Sequence, residues 1–164
     1  MTEIICISAT GKAKSSRETA ARLLRDALEK EKKRVLITRI ADPLKMVCRN
    51  WFDWNGKMDD AGRAGLRYIG TDIVRARQPN FWIDFTLGLL SILGSEWDFV
   101  IIPDCRYPSE FDMERFGFYP RHLRIGSLGS LGNSLDKIFA LIGNDSPEQL
   151  RGDIADAAHR LIYG

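Results

Sequence analysis

The chain has 164 residues, 45% hydrophobic and 28% charged, and its 24 Lys and Arg against 22 Asp and Glu leave a formal net charge of +2. That composition suits one domain with a continuous core, spanning residues 1–164, and excludes a disordered or collagen-like chain. The near balance of charge argues against a polymeric nucleic acid as partner, while local basic clusters can still hold a small anion.

The opening stretch sets the expectation for everything after it. Ile4, Ile5, Cys6 and Ile7 form a short apolar run, Gly11 to Ser16 is a small and basic loop, and helical periodicity begins at Thr19. Strand, loop and helix in that order aim backbone N–H groups and the positive end of a helix dipole at one spot, the usual way of holding phosphate. Against the P-loop pattern GxxxxGK followed by Ser or Thr, only Gly11 stands in register, so on pattern alone an ordinary strand-to-helix turn is an equal reading.

Ala20, Leu23, Leu24, Ala27 and Leu28 give the first helix a buried stripe, and its basic tail from Lys30 to Arg34 suits the helix C-terminus. Val35 to Ile40 is a second strand. Asp42 as cap, with Pro43 at the first helical position, opens a second helix through Cys48. Trp51, Phe52 and Trp54 then cluster before a turn at Asn55 and Gly56, either as core or as the wall of a base pocket. A helical stretch from Asp59 to Gln78, broken near Gly70, contains Thr71, Asp72 and Arg75, which form either a surface pair of Asp72 with Arg75 or a shared polar face. Pro79 and Asn80 stop the chain and restart it in a helix from Phe81 to Leu93 that reads as largely buried.

Phe99 to Ile102 reads as a strand buried on both faces, which puts Asp104 at its carboxyl edge with Arg106 two residues on. That edge is where open α/β sheets bind ligands, and Asp104 is read as a site residue over a simple helix cap. A helix from about Ser109 to Arg115, a strand from His122 to Ile125, an uncharged loop from Gly126 to Ser134 and a strand from Phe139 to Ile142 follow. Ser146, Pro147 and Gln149 make a capping box for the last helix. Even the run from Phe81 to Leu93 is interrupted by Asp84, Thr86 and Gly88, and no charged leader with a cleavage site opens the chain, so a cytoplasmic protein without a membrane partner is expected. Cys6, Cys48 and Cys105 lack metal or redox spacing and are expected as reduced core thiols, and neither His122 nor His159 has a partner at ligand spacing.

The ordered blocks GKAKSSRET, ADPLK, GTDIVR with PNFW after it, PDCRYPSE and NDSPEQL resemble the phage-type deoxynucleoside monophosphate kinases, a branch of the P-loop kinases. The likeness runs over nearly the whole chain, through Gly11, Ser15 and Thr19, Asp42 to Lys45, Gly70 to Asp72 with Arg75, Asp104, Arg106, Pro108 and Glu110, and Asn144. It implies an α/β fold of three αβα layers, the P-loop kinase fold, around a central five-stranded parallel sheet. It also implies transfer of the ATP γ-phosphoryl group to a (deoxy)nucleoside monophosphate with Mg²⁺. On that likeness Gly11, Lys12, Ala13, Lys14, Ser15, Ser16, Arg17, Glu18 and Thr19 would hold ATP, with Arg17, Asp104 and Arg106 catalytic. Thr19 and Asp104 would serve the metal, and Lys45, Thr71, Asp72, Arg75 and Trp82 the acceptor nucleotide. The sequence leaves open whether the chain forms a homodimer.

Four departures from the family pattern bear on rate. The loop lysine is Arg17, the second glycine is Ser16 and the aspartate is Glu18. Arg keeps the charge but not the compact ammonium, and a side chain at Ser16 crowds the approach of backbone to phosphate. The segment where such kinases bring arginines over the phosphates is the uncharged Gly126 to Ser134, with Arg121 and Arg124 only nearby. Weak kinase activity, nucleotide binding without turnover, and a kinase acting on another small metabolite are the alternatives these departures raise.

Overall fold

The computed structural model describes residues 2–9, 15–126 and 138–164. Five strands form one sheet: β1 (Glu3–Ala9), β2 (Val35–Ile37), β3 (Phe99–Ile102), β4 (Arg121–Ile125) and β5 (Ile138–Ile142), in the order β2-β3-β1-β4-β5. Every pairing is parallel, with Ile4 opposite Val100 and Ile7 opposite Leu123. The fold is therefore α/β around an all-parallel five-stranded sheet.

Alternation along the strands divides the core in two. Ile5 and Ile7 of β1 with Phe99 and Ile101 of β3 face one side, where they meet Ala20, Ala21, Leu24 and Leu28 of α1 (Arg17–Lys30) and Leu150, Ile154, Ala157 and Ala158 of α5 (Pro147–Tyr163). Ile4, Cys6, Val100 and Ile102 face the other, against Trp82, Ile83, Leu87 and Leu90 of α4 (Phe81–Leu93). Both faces are covered, which is why β1 and β3 read as unbroken apolar runs. All three cysteines are free and buried, and no helix among the described residues is long and apolar enough to cross a membrane.

Several local expectations are corrected. The first helix begins two residues before Thr19, at Arg17. The second strand ends at Ile37, and α2 (Ala41–Trp51) starts ahead of Pro43, capped not by Asp42 but from a distant loop. The stretch after Asp59 does not break at Gly70: α3 (Asp60–Arg67) runs directly into a π-helical segment, Tyr68–Arg75. Its i→i+5 bonding widens the turn, so residues three apart no longer stack as on an α-helix. Gly70 belongs there sterically, because a Cβ would stand 2.5 Å from Leu44 Cδ2.

The helix expected from Ser109 to Arg115 is instead two short 3₁₀ turns, Pro108–Phe111 and Glu114–Phe116. Trp51 and Phe52 are exposed, Trp51 at 76%, so the aromatic cluster is not core, and Trp54 donates its indole N–H to the Lys57 carbonyl at 3.0 Å under the Arg49 guanidinium. The last helix begins as its sequence suggests, with Ser146 Oγ accepting from Gln149 N at 3.1 Å and Pro147 in the first turn.

Candidate functional site

A crevice is dictated by topology. The neighbouring strands β1 and β3 send their chains to opposite faces, since α1 packs with Ile5 and Ile7 while Cys105 and Met113, which follow β3, pack with Ile4 and Cys6. Such a switch point opens a cleft beyond the carboxyl ends of the strands. Gly11, Lys12, Ala13 and Lys14 lie outside the described residues, as does the uncharged loop beyond Gly126. The far lip of the first loop is described, and it converges there with the segment after β3.

Arg17, the first residue of α1, is half-buried; burial and the facing Arg106 hold its guanidinium below its ordinary pKa, while Asp104 acts in the opposite sense. Arg17, Asp104 and Arg106 thus come together from two separate loops. Asp104 is half-buried, and burial raises its carboxyl pKa against the pull of two backbone donors. Those donors are Ile40 N to Oδ1 and Ala41 N to Oδ2, both at 2.9 Å. The carboxylate therefore caps the first turn of α2 across 63 residues of sequence and acts on the guanidinium groups of Arg17 and Arg39 at once. The cap reading of Asp104 is thus observed, on a helix other than the one that follows it.

Glu110 is the residue that builds the loop, and its position in PDCRYPSE is the only sequence signal it left. It is 2% exposed, and accepts Arg106 N at 2.6 Å and Tyr107 N at 3.0 Å on Oε2 and Arg75 Nη2 at 2.9 Å on Oε1. Arg75 lies 4.4 Å over the Tyr107 ring. So Arg75 turns to Glu110 across the cleft, and no surface pair with Asp72 forms. Thr71 and Asp72 are exposed on the π-helical segment. Trp82 is buried in the core beneath it, donating its indole N–H to the Gly70 carbonyl at 3.1 Å.

Two further ties hold the lip. Ser16 Oγ donates to Asn144 Oδ1 at 2.8 Å, joining α1 to the loop after β5. Glu18 accepts Arg39 Nε at 2.8 Å and Nη2 at 2.5 Å, a bidentate pair that lowers the Glu18 pKa, with Arg22 and Lys45 adding to the effect. Lys45 thereby comes to the same neighbourhood. Arg39 escaped the sequence reading because nothing in TRIADP marks a partner 21 residues upstream. Thr19 is exposed in the first turn of α1. Arg121 points away from the crevice, at 3.7 Å from Glu3 near the amino end of β1.

His122 has a partner that spacing does not reveal. Ser8 Oγ and His122 Nε2 lie 2.7 Å apart across β1 and β4, with Phe111 stacked on the imidazole at 4.1 Å. Burial, then Arg124, pushes the imidazole pKa down from 6.5 to about 4. The unfolded chain therefore binds a proton that the folded chain refuses between those values, so this group costs stability progressively as pH falls below 6.5. His122→Gln is expected to flatten the fall in urea-measured stability between pH 6.5 and about 4, and an unchanged profile would refute the assignment.

Among the described residues no cluster of three His, Cys, Asp or Glu side chains could hold a metal ion by itself. Four guanidinium groups, Arg17, Arg39, Arg75 and Arg106, gather here with three carboxylates, of which Glu18 is held by Arg39, Glu110 by Arg75 and Asp104 by two backbone N–H groups, which leaves an excess of positive charge suited to an anion. No known protein family and no curated protein matches the chain.

Proposed function

We propose that the protein transfers the γ-phosphoryl group of ATP to a (deoxy)nucleoside monophosphate, through a P-loop kinase site with an altered lip. The observation that carries the reading is the meeting of Arg17, Asp104 and Arg106 at the crevice between β1 and β3. In this reaction the bond from the γ-phosphorus to the ADP oxygen breaks while one forms to an oxygen of the acceptor phosphate, and the demand on the protein is positioning and neutralisation of charge. Arg17 at the helix N-terminus meets the donor phosphates, and Arg106 faces the group in transit. Arg75, oriented by Glu110 and Tyr107, meets the acceptor phosphate, with Lys45, Thr71 and Asp72 beside it. Trp82 supports that wall from below through Gly70.

Asp104 fits Mg²⁺ through water, since each of its oxygens already accepts a backbone N–H and Mg²⁺ keeps several waters beside one or two carboxylates. Thr19 stands in the same first turn of α1. The ion, when bound, supplies charge neutralisation to the phosphates.

A second reading, nucleotide binding without turnover, is favoured by the lip itself, where Ser16 is tied to Asn144 and Glu18 to Arg39. Calorimetric titration with ATP and each dNMP, together with ADP release in a coupled assay with Mg²⁺, separates the two. Turnover with any dNMP supports the kinase. Binding without turnover, rescued by Ser16→Gly with Arg17→Lys, supports the second reading. Failure of every nucleotide to bind sinks both.

A further inference from the structure

We infer that the outer face of α4 is the surface on which two copies of this chain pair. A helix that is apolar all round is normally covered all round. The inner side of α4 is covered, through Trp82, Ile83, Leu87 and Leu90, but the helix is not largely buried as its sequence suggests: Phe81, Phe85, Leu89, Ile92 and Leu93 on its outer side are exposed, from 38% at Phe81 to 77% at Ile92. Their spacing of three to four residues makes one continuous stripe, roughly 18 Å long at about 1.5 Å per residue. Scattered exposed apolar residues need no explanation, whereas a contiguous stripe of five on one rigid helix marks a contact surface.

The occupant is a second copy for three reasons. The stripe contains no charge, so it offers nothing to an acidic or basic partner. Its neighbours Asp84 and Asp112 are engaged by Arg115, and α4 has no Lys or Arg, so the face lacks the basic rim by which amphipathic helices seat on anionic membranes. The area is also commensurate with a dimer. At about 200 Å² for a fully exposed side chain of this size, the five exposures amount to roughly 500 Å² per copy. Pairing about a two-fold axis then removes roughly 1,000 Å² from water, where specific interfaces begin. In an antiparallel pair Phe81 of one copy lies beside Ile92 of the other, and Gly88, whose missing Cβ faces open space, lets the two helices approach at the axis.

The test is sedimentation equilibrium on the full chain at roughly 1 to 100 μM, a range that brackets a pairing of moderate strength. The wild type is expected to be dimeric, and Ile92→Lys with Leu89→Lys to weaken association at least about 100-fold while leaving the circular dichroism spectrum and unfolding transition in place. Phe85→Cys, next to the two-fold axis in the antiparallel register, is a second, milder probe. Because Cys6, Cys48 and Cys105 are buried, mild oxidation should cross-link that variant and not the wild type. A monomeric wild type across the range, a charged variant that still pairs, or a monomer that co-sediments with anionic lipid vesicles would overturn the inference. None of these readouts depends on nucleotide binding.

Discussion

Glu110→Ala is expected to destabilise the protein by about 3 to 5 kcal/mol, the usual cost of removing one partner from a buried ion pair. Arg75, largely buried, loses the carboxylate oxygen at 2.9 Å, and the N–H groups of Arg106 and Tyr107 lose their acceptors at 2.6 and 3.0 Å. Each loss leaves a donor without the water it gave up on folding. Glu110→Gln keeps the shape and one acceptor oxygen, so about half that effect is expected.

Urea unfolding of Glu110→Ala, Arg75→Ala and the double variant closes a cycle. The double variant should cost less than the sum of the single ones by at least about 1 kcal/mol, since the second change removes the group that the first left exposed to a dry environment. A loss below about 1 kcal/mol for Glu110→Ala would show that the segment from Asp104 to Glu110 is held by something else. On the kinase reading the same variant also loses acceptor affinity, because Arg75 and Arg106 are both placed through this carboxylate.

Asp104→Asn separates the cap that this side chain provides from the role that the kinase reading gives it. The amide retains an acceptor for Ile40 N or Ala41 N but turns an NH₂ group toward the other, so loss of about 1 to 2 kcal/mol of stability is expected, comparable to a lost helix cap. The pH dependence has a definite sign. Burial raises the folded carboxyl pKa above 3.8, so the protonated group favours the folded state, and that contribution is full below 3.8 and vanishes as pH rises through the folded value. Asparagine has no such step, and the deficit of the variant should therefore be largest in acid and shrink toward neutral pH. On the kinase reading its expected effect on ADP formation is larger, about 100-fold or more, because the charge beside Arg17 is gone. Turnover within threefold of wild type would remove Asp104 from the site and leave it a cap alone.

How much of this was legible follows from how local each feature is. The apolar runs of β1 and β3 and the stop at Pro79 and Asn80 before α4 are written in neighbouring residues, and the structure has them at those places. The start of α2 was misread because the chain carries a good local cap, Asp42 with Pro43, while the cap in use is Asp104. The segment after Pro108 contains helix formers but is pinned by Glu110 to its own preceding amides, so it closes into 3₁₀ turns. Arg39, Ser8 and His122 gave no warning, since their partners lie 21 and 114 residues away.

The amino-acid sequence by itself determined where the five strands and the helices α1, α4 and α5 lie, the burial of the cysteines and the placing of Asp104 just past a strand end, because apolar periodicity and turn residues act within a few positions. Only the tertiary structure decided the strand order, the choice of Glu110 as the partner of Arg75, the use of Asp104 as the cap of α2, and the bare apolar face of α4. Those depend on which elements become neighbours, and that is settled by packing both faces of one sheet at once rather than by any single stretch of chain.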